Sequence, residues 1–253
     1  MTFTLGELQT MAESVDLTIS DTDIENIEMM TRGQSSCKEW FQYRAGRITA
    51  SKLKAVCSTN IDKPSVSLLK AICYAQDKTF KTAATEWGIA NEKVALGKYR
   101  QSVSDHDDVV VEQCGLFIST DYPFMGASPD SLVSCQCCGK GIVEVKCPYN
   151  YRWDEVVKYV LSNDSCFSVD DEIEMNKKHS YYYQVQAQMY ICDVSFCNFV
   201  VCTFPSDIPS LFVKRIYRDS DFWNDCVQRA CLFFRRCVLP ELLGKAYTRP
   251  VSI

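Results

Sequence analysis

The sequence lacks any apolar run near the roughly 20 residues that a membrane span needs. Its opening, Met1 to Thr10, has neither the basic n-region nor the apolar h-region of a secretory leader. Neither export nor membrane contact is therefore expected, and an intracellular place, nucleus or cytoplasm, is. Histidine is scarce: His106 and His179 are the two in the chain, and they form no ligand pair. Lysine and arginine are missing from residues 1–30, which carry seven acids. No internal repeat and no low-complexity stretch is present.

What remains is 253 residues, 47% apolar and 23% charged, enough for one sizeable globular domain with at most a small appendage. The fifteen cysteines are an odd number, spread from Cys37 to Cys237 without a framework. A secreted disulfide scaffold would be shorter and carry a leader, so most read as reduced, buried small hydrophobes. The formal charge of −5 speaks against nucleic acid, but its distribution does not: residues 31–100 hold thirteen Lys or Arg against five acids. A basic lobe beside an acidic stretch fits a phosphate-binding cleft, or simply a solvated helical face.

Residues 1–36 are weakly patterned, with a short helix over Asp21–Met30, and read as an acidic, flexible N-terminal arm. From Cys37 the period is helical. A helix over Ala50–Cys57 starts at Thr49, a good N-cap, and another runs from about Thr82 to Ser104. The period then changes. Val109–Glu112, Leu116–Ser119, Leu132–Ser134 and Gly141–Lys146 are short β-branched runs punctuated by Gly, Pro and Asp, which predicts strands. A helix over Trp153–Leu161, an acidic loop over Ser162–Met175 and a long helix over Lys178–Cys192 follow. Strands at Asn198–Thr203 and Leu211–Ile216 precede an amphipathic helix over Asp221–Leu243. The class is α/β or α+β, a mixed sheet flanked by helices.

The chemistry concentrates in Gly126-Ala-Ser-Pro-Asp130 and Gly141-Ile-Val-Glu144-Val-Lys146. Side chains alternate along a strand, so Glu144 and Lys146 share one face while Val143 and Val145 point to the other. A buried charge is costly unless it is paired or holds a metal. A tight hairpin would set Asp130 beside Glu144, and two converging carboxylates make a hard-oxygen site suited to Mg²⁺ or Mn²⁺. Lys146 could orient or deprotonate a water, or offset phosphate charge; acting as a base it would need its pKa lowered. Paired-acid glycoside hydrolysis needs no lysine at this spacing. The bland alternative is a surface hairpin with an incidental Glu–Lys pair.

Asp130…Glu144-Val-Lys146 resembles the PD-(D/E)XK nuclease motif. Three flanking blocks narrow the resemblance to the lambda exonuclease and YqaJ viral recombinase family: Trp40-Phe-Gln-Tyr-Arg44-Ala-Gly-Arg-Ile-Thr49-Ala-Ser51, Trp87-Gly-Ile-Ala-Asn-Glu92 and Gln184-Val-Gln186-Ala-Gln188-Met189. All four come in the family's order. The resemblance implies a restriction-endonuclease-like core over 37–253 with the active site at one sheet edge. It implies a divalent ion held by Asp130, Glu144, Glu92 and the Val145 carbonyl, with Lys146 positioning water and Gln184 organising the carboxylates. Arg44, Thr49, Ser51, Ser128 and Gln186 would meet DNA phosphates, which guanidinium chemistry and helix N-termini also permit. The implied activity is Mg²⁺-dependent 5′-to-3′ digestion of duplex DNA ends, leaving 3′ overhangs for a single-strand annealing protein, with a homotrimer as the family's assembly. The rivals are an endonuclease of the same superfamily on DNA or RNA, and a catalytically silent DNA-binding or zinc-stabilised module.

Cys135-Gln-Cys137-Cys138 stands at the expected hairpin tip. A structural zinc needs four ligands, usually as two pairs, and no second pair is evident, so a redox-inert turn is favoured over a Zn²⁺ site at Cys135, Cys137 and Cys138. His106 is expected in solvent and His179 as a partly buried helix cap. Of Tyr181, Tyr182 and Tyr183, at least one should be core rather than a base-stacking platform.

Overall fold

The computed structural model describes residues 3–74 and 82–249. Lys78 and Lys81 of the basic stretch lie outside the described residues. The chain opens with helices α1 (Leu5–Glu13), α2 (Asp21–Met30) and α3 (Lys38–Arg44), then strand β1 (Ile48–Thr49). Helices α4 (Leu53–Ser58), α5 (Val66–Cys73) and α6 (Ala83–Ser102) follow. Next come strands β2 (Val110–Glu112), β3 (Phe117–Ile118), β4 (Met125–Ala127), β5 (Ser131–Cys135) and β6 (Gly139–Lys146). Helix α7 (Val156–Val160), hairpin β7 (Phe167–Val169) and β8 (Ile173–Met175), and helix α8 (Ser180–Ile191) lead to β9 (Phe196–Thr203) and β10 (Ser210–Tyr217). Helix α9 (Ser220–Phe233), a π-helical turn over Phe234–Val238 and α10 (Leu239–Gly244) close the described chain. The acidic loop expected over Ser162–Met175 thus contains a hairpin, anchored by the buried Phe167 and Met175.

The main sheet has the order β10-β9-β6-β5-β2, with β6 and β9 parallel and the other pairs antiparallel. Its middle strand β6 is covered on both faces, and its sequence shows it: Ile142, Val143 and Val145 are all buried. Val143 and Val145 pack with Ala95, Leu96 and Tyr99 of α6. Ile142 packs with Val185 and Met189 of α8 and with α7 on the other side. A smaller sheet, β1-β4-β3, carries a separate core built by α4, α5, α9 and the π-helical turn.

The N-terminal residues are not the loose arm expected of them. Leu8 and Ala12 of α1 are fully buried, and α1 packs on α10 and the π-helical turn. Helix α2 seats on β3: the Glu28 carboxylate accepts from Gly115 N–H (2.8 Å), and the Thr31 hydroxyl accepts from Leu116 N–H (2.7 Å). Gln34 then donates to the carbonyls of Cys114 (3.0 Å) and Pro129 (2.8 Å), beside Asp130. The acids on α1 and α2 point mostly outward, which is why composition alone suggested a solvated tail. No disulfide links the cysteines among the described residues, and Cys73, Cys114, Cys166, Cys197, Cys202 and Cys226 are among the buried ones. Among the described residues no helix is long and apolar enough to cross a membrane.

Candidate active site

The register Ser131↔Val143 in the β5–β6 hairpin carries Asp130, one residue outside the ladder, to a place opposite Glu144. Asp130 N–H donates to the Val143 carbonyl (3.1 Å), and its Oδ2 accepts from Val145 N–H (2.6 Å). The carboxylate is therefore fixed against the end of the middle strand. The site lies at the carboxyl end of β6, in the sheet's centre rather than at an edge, because β9 and β10 pair beyond β6.

Glu144 is 2% exposed and fully engaged. Its Oε1 accepts from the Lys146 ammonium and from Gln184 Nε2 (2.6 Å), and its Oε2 accepts from Gln188 Nε2 (2.7 Å). Above it opens a pocket of about 360 Å³ lined by Glu92, Asp130, Val145, Lys146 and Tyr181. Glu92 reaches this pocket from α6 on the opposite face of the sheet. Trp87, one turn before it, packs edge-on against Tyr149, Trp153 and Phe204 and anchors that helix beside the site.

These groups perturb one another. Burial and the neighbouring Glu144 charge hold the Asp130 carboxyl well above the usual carboxylate range, and the same two causes raise Glu92. Burial pulls the Lys146 ammonium down, yet Glu144, Asp130 and Tyr181 together hold it above the ordinary lysine value. Lys146 is ion-paired with Glu144. Its Nζ sits 4.9 Å from the centre of the Tyr181 ring, an added contact favouring the charged form.

Glutamine residues two apart on α8 diverge. Gln184 meets Glu144 as expected. Gln186, expected at DNA phosphates, is fully buried, donates to the Tyr217 carbonyl (2.9 Å) and accepts from Asp219 N–H (2.9 Å). Two residues along a helix are about 200° apart, so Gln186 faces the β10–α9 connection instead of the site. Gln188, not singled out from the sequence, meets Glu144 as well, at the i+4 position from Gln184. Gln188→Ala should lower turnover about 10- to 100-fold, as loss of a group orienting a metal ligand does, and also lower the melting temperature, because a buried Glu144 oxygen loses its donor. Gln186→Ala should lower the melting temperature and leave turnover nearly unchanged. Parallel rate and melting measurements would separate the two, and equal effects on both readouts would refute the division.

The expected phosphate contacts form a neighbouring group outside the pocket wall. Arg44 stacks over Trp40 at 3.8 Å, and Trp40 Nε1 donates to Ser128 Oγ (2.9 Å), two residues before Asp130. Burial pulls the Arg44 guanidinium down to about 10, and among the described residues no carboxylate pairs with it. Thr49 is buried beside β4, and its hydroxyl turns to Ser51 (3.3 Å) instead of capping the short 3₁₀ turn that precedes α4. Ser51 carries the exposed hydroxyl. His179 caps α8, its Nδ1 accepting from Tyr181 N–H (3.2 Å), and Tyr182 is buried, both as read from the sequence.

His106 departs from expectation. Its Nδ1 stands 3.1, 3.6 and 3.5 Å from the sulfurs of Cys137, Cys135 and Cys138, at the far end of the β5–β6 hairpin.

A middle strand ending in Glu-x-Lys, an aspartate from the adjoining antiparallel strand and helices on both faces define a restriction-endonuclease-like domain. The alkaline exonuclease from Laribacter hongkongensis superposes with a TM-score of 0.60 at 24% identity, over 83% of this chain and 98% of that one. The shutoff and exonuclease protein of Kaposi's sarcoma-associated herpesvirus gives a TM-score of 0.56 at 13% identity, over 91% and 76% of the two chains. Residues 39–195 match the YqaJ-like viral recombinase domain, and the chain belongs to that family. An alkaline nuclease of Orgyia pseudotsugata multicapsid polyhedrosis virus is 29% identical over 219 residues, 81% of this chain and 48% of that protein. The chain spans about half the length of such curated relatives.

Proposed function

We propose that this chain is a metal-dependent nuclease that hydrolyses phosphodiester bonds of duplex DNA from an end. The observation that carries the proposal is the convergence of Asp130, Glu144 and Lys146 at the end of one buried strand. The relatives support it: two baculovirus proteins similar to this chain are alkaline nucleases. The finer points, 5′-to-3′ polarity, Mg²⁺ as the preferred ion, a homotrimer and a single-strand annealing partner, follow from family resemblance.

The donor set fits a hard divalent ion. Glu92 and Asp130 bring oxygen donors to one pocket, the buried Glu144 lies beside Asp130, and the repulsion among the three is what an ion would relieve. Asp130, Glu144, Glu92 and the Val145 carbonyl would hold it. When bound, such an ion would polarise the scissile phosphate and make water a better nucleophile. The chain supplies the rest. Lys146 presents its side-chain nitrogen where the nucleophilic water and the developing phosphate charge would lie. Gln184 and Gln188 hold Glu144 in place, and Tyr181 screens Lys146 from water. Arg44, Ser51 and Ser128, beside the entry to β5, would position the phosphate backbone.

The test is digestion of linear duplex DNA labelled at the 5′ or the 3′ end, beside a covalently closed circle, with Mg²⁺ or EDTA. Mg²⁺-dependent loss of the 5′ label that spares the circle is expected. A cut circle would replace the exonuclease by an endonuclease, and no cleavage with any divalent ion would refute the enzyme.

The raised acids also set a pH dependence. An acid whose folded-state pKa lies above its unfolded value contributes stability that is full below the unfolded pKa and is lost as pH rises through the folded one. Through Asp130 and Glu92, the metal-free protein should lose melting temperature as pH climbs from about 4, the ordinary carboxylate value, toward the raised values. Added Mg²⁺ should restore it, and cleavage should grow over the same window. A melting temperature indifferent to Mg²⁺ at alkaline pH would contradict this account.

A further inference from the structure

We propose that His106, Cys135, Cys137 and Cys138 form a structural zinc site that pins the tip of the catalytic hairpin to the loop after α6. The four ligand atoms all lie within 4.8 Å of one another. Cys137 Sγ is 3.4 Å from Cys135 Sγ and 3.7 Å from Cys138 Sγ, and the three His106 Nδ1 to sulfur distances run from 3.1 to 3.6 Å. A tetrahedron with Zn–S of about 2.3 Å and Zn–N of about 2.0 Å has S···S edges of about 3.8 Å and N···S edges of about 3.5 Å. The cluster already has nearly those dimensions, with three sulfurs and a nitrogen facing one centre.

The surroundings are built to hold it. Gly139, at φ +78°, makes the turn that folds Cys137 and Cys138 back toward Cys135. Gln136 N–H donates to the Asp107 carbonyl (3.0 Å), which stitches the tip to the loop carrying His106. Arg215 on β10 donates to Cys138 Sγ (3.3 Å) and to Asn198 Oδ1 (2.9 Å), while Asn198 donates to the Tyr99 hydroxyl on α6 (2.6 Å). A guanidinium against a ligating sulfur favours the thiolate, as outer partners of zinc ligands do.

This ion is distinct from the catalytic one. Strand β6 separates the two ends by its eight residues, about 23 Å in an extended chain. The donor sets differ as well: soft thiolates and an imidazole select zinc, and the carboxylates at the other end select Mg²⁺ or Mn²⁺. On binding, the thiol protons pass to solvent and the ligands bond as thiolates. The zinc would brace the hairpin bearing Asp130 and Glu144 against the helix bearing Glu92.

The full chain, purified under reducing conditions without chelator, should contain one zinc per molecule by elemental analysis. The equivalent should be lost in His106→Ala and in Cys135→Ser/Cys137→Ser/Cys138→Ser. Exchange of zinc for Co²⁺ in the wild type, which depends on no variant folding, should give the intense visible bands of tetrahedral Co²⁺ and thiolate charge transfer. A wild type that neither contains zinc nor takes it up would overturn the site, as would zinc retained by the triple variant. A Cys135–Cys137 disulfide in protein lysed under alkylating conditions would do the same.

Discussion

Glu144→Ala should abolish cleavage, by at least about 1000-fold, and also destabilise the fold by about 3 kcal/mol. Glu144 is 2% exposed and receives Lys146, Gln184 and Gln188 at once. Removing it leaves the Lys146 ammonium half-buried without its carboxylate and two glutamine amides without an acceptor. The double variant Glu144→Ala/Lys146→Met should recover much of the stability, because it removes the unpaired charge, and none of the activity. Chemical denaturation of the two variants beside a single-turnover assay reads both halves. If Glu144→Ala alone were as stable as the wild type, the buried pair would not hold this end of the strand. If the double variant cleaved DNA, the site assigned here would be the wrong one.

Gly115→Ala should lower the melting temperature by about 6–12 °C, from about 3 kcal/mol of overpacking in a chain of this size. A Cβ there would fall 2.0 Å from the Glu28 carbonyl oxygen and 2.5 Å from Thr31 Oγ1. The first is backbone at the end of α2, so α2 would have to leave β3. That movement would also draw Gln34 away from the Pro129 carbonyl, and the aspartate beside Pro129 should lose its fixed position. Activity measured well below the new melting temperature should therefore fall too. Full activity in a destabilised variant would mean that the Gln34 contact does not govern Asp130.

Why the acids and the lysine were legible while other groups were not comes down to period and distance. Asp130, Glu144 and Lys146 sit on two sequence-adjacent strands, where alternation and a tight hairpin settle which side chains meet. Gln188 obeyed an equally simple rule, helical i,i+4 neighbours, and could have been found by it. Gln186 was misassigned because proximity in sequence was taken for a shared face. His106 needed more. The register Val110↔Ser134 between β2 and β5, extended four residues, brings position 106 to position 138. No local pattern states that β2 pairs with β5 rather than with another strand. Helix α2 was legible at Asp21–Met30, whereas α1 was missed for a related reason. Of α1, Leu8 and Ala12 alone are buried, too few to give a periodic signal, and their partner α10 lies at the other end of the sequence.

That last feature bears on how the chain reaches its native state. Arg249 donates to the Phe3 carbonyl across 246 residues, and Gln9 donates to the Arg236 carbonyl across 227. Closing so long a loop costs entropy before any contact repays it, and such non-local topologies fold slowly. During synthesis α1 has no surface to rest on until the π-helical turn and α10 have left the ribosome, so α1 waits while α2 and the β5–β6 hairpin are already in place. Nascent chains stalled before residue 239 should expose the apolar faces of Leu8 and Ala12, bind holdase chaperones and be cut early by protease. Release of the last turns should end that vulnerability in one cooperative step.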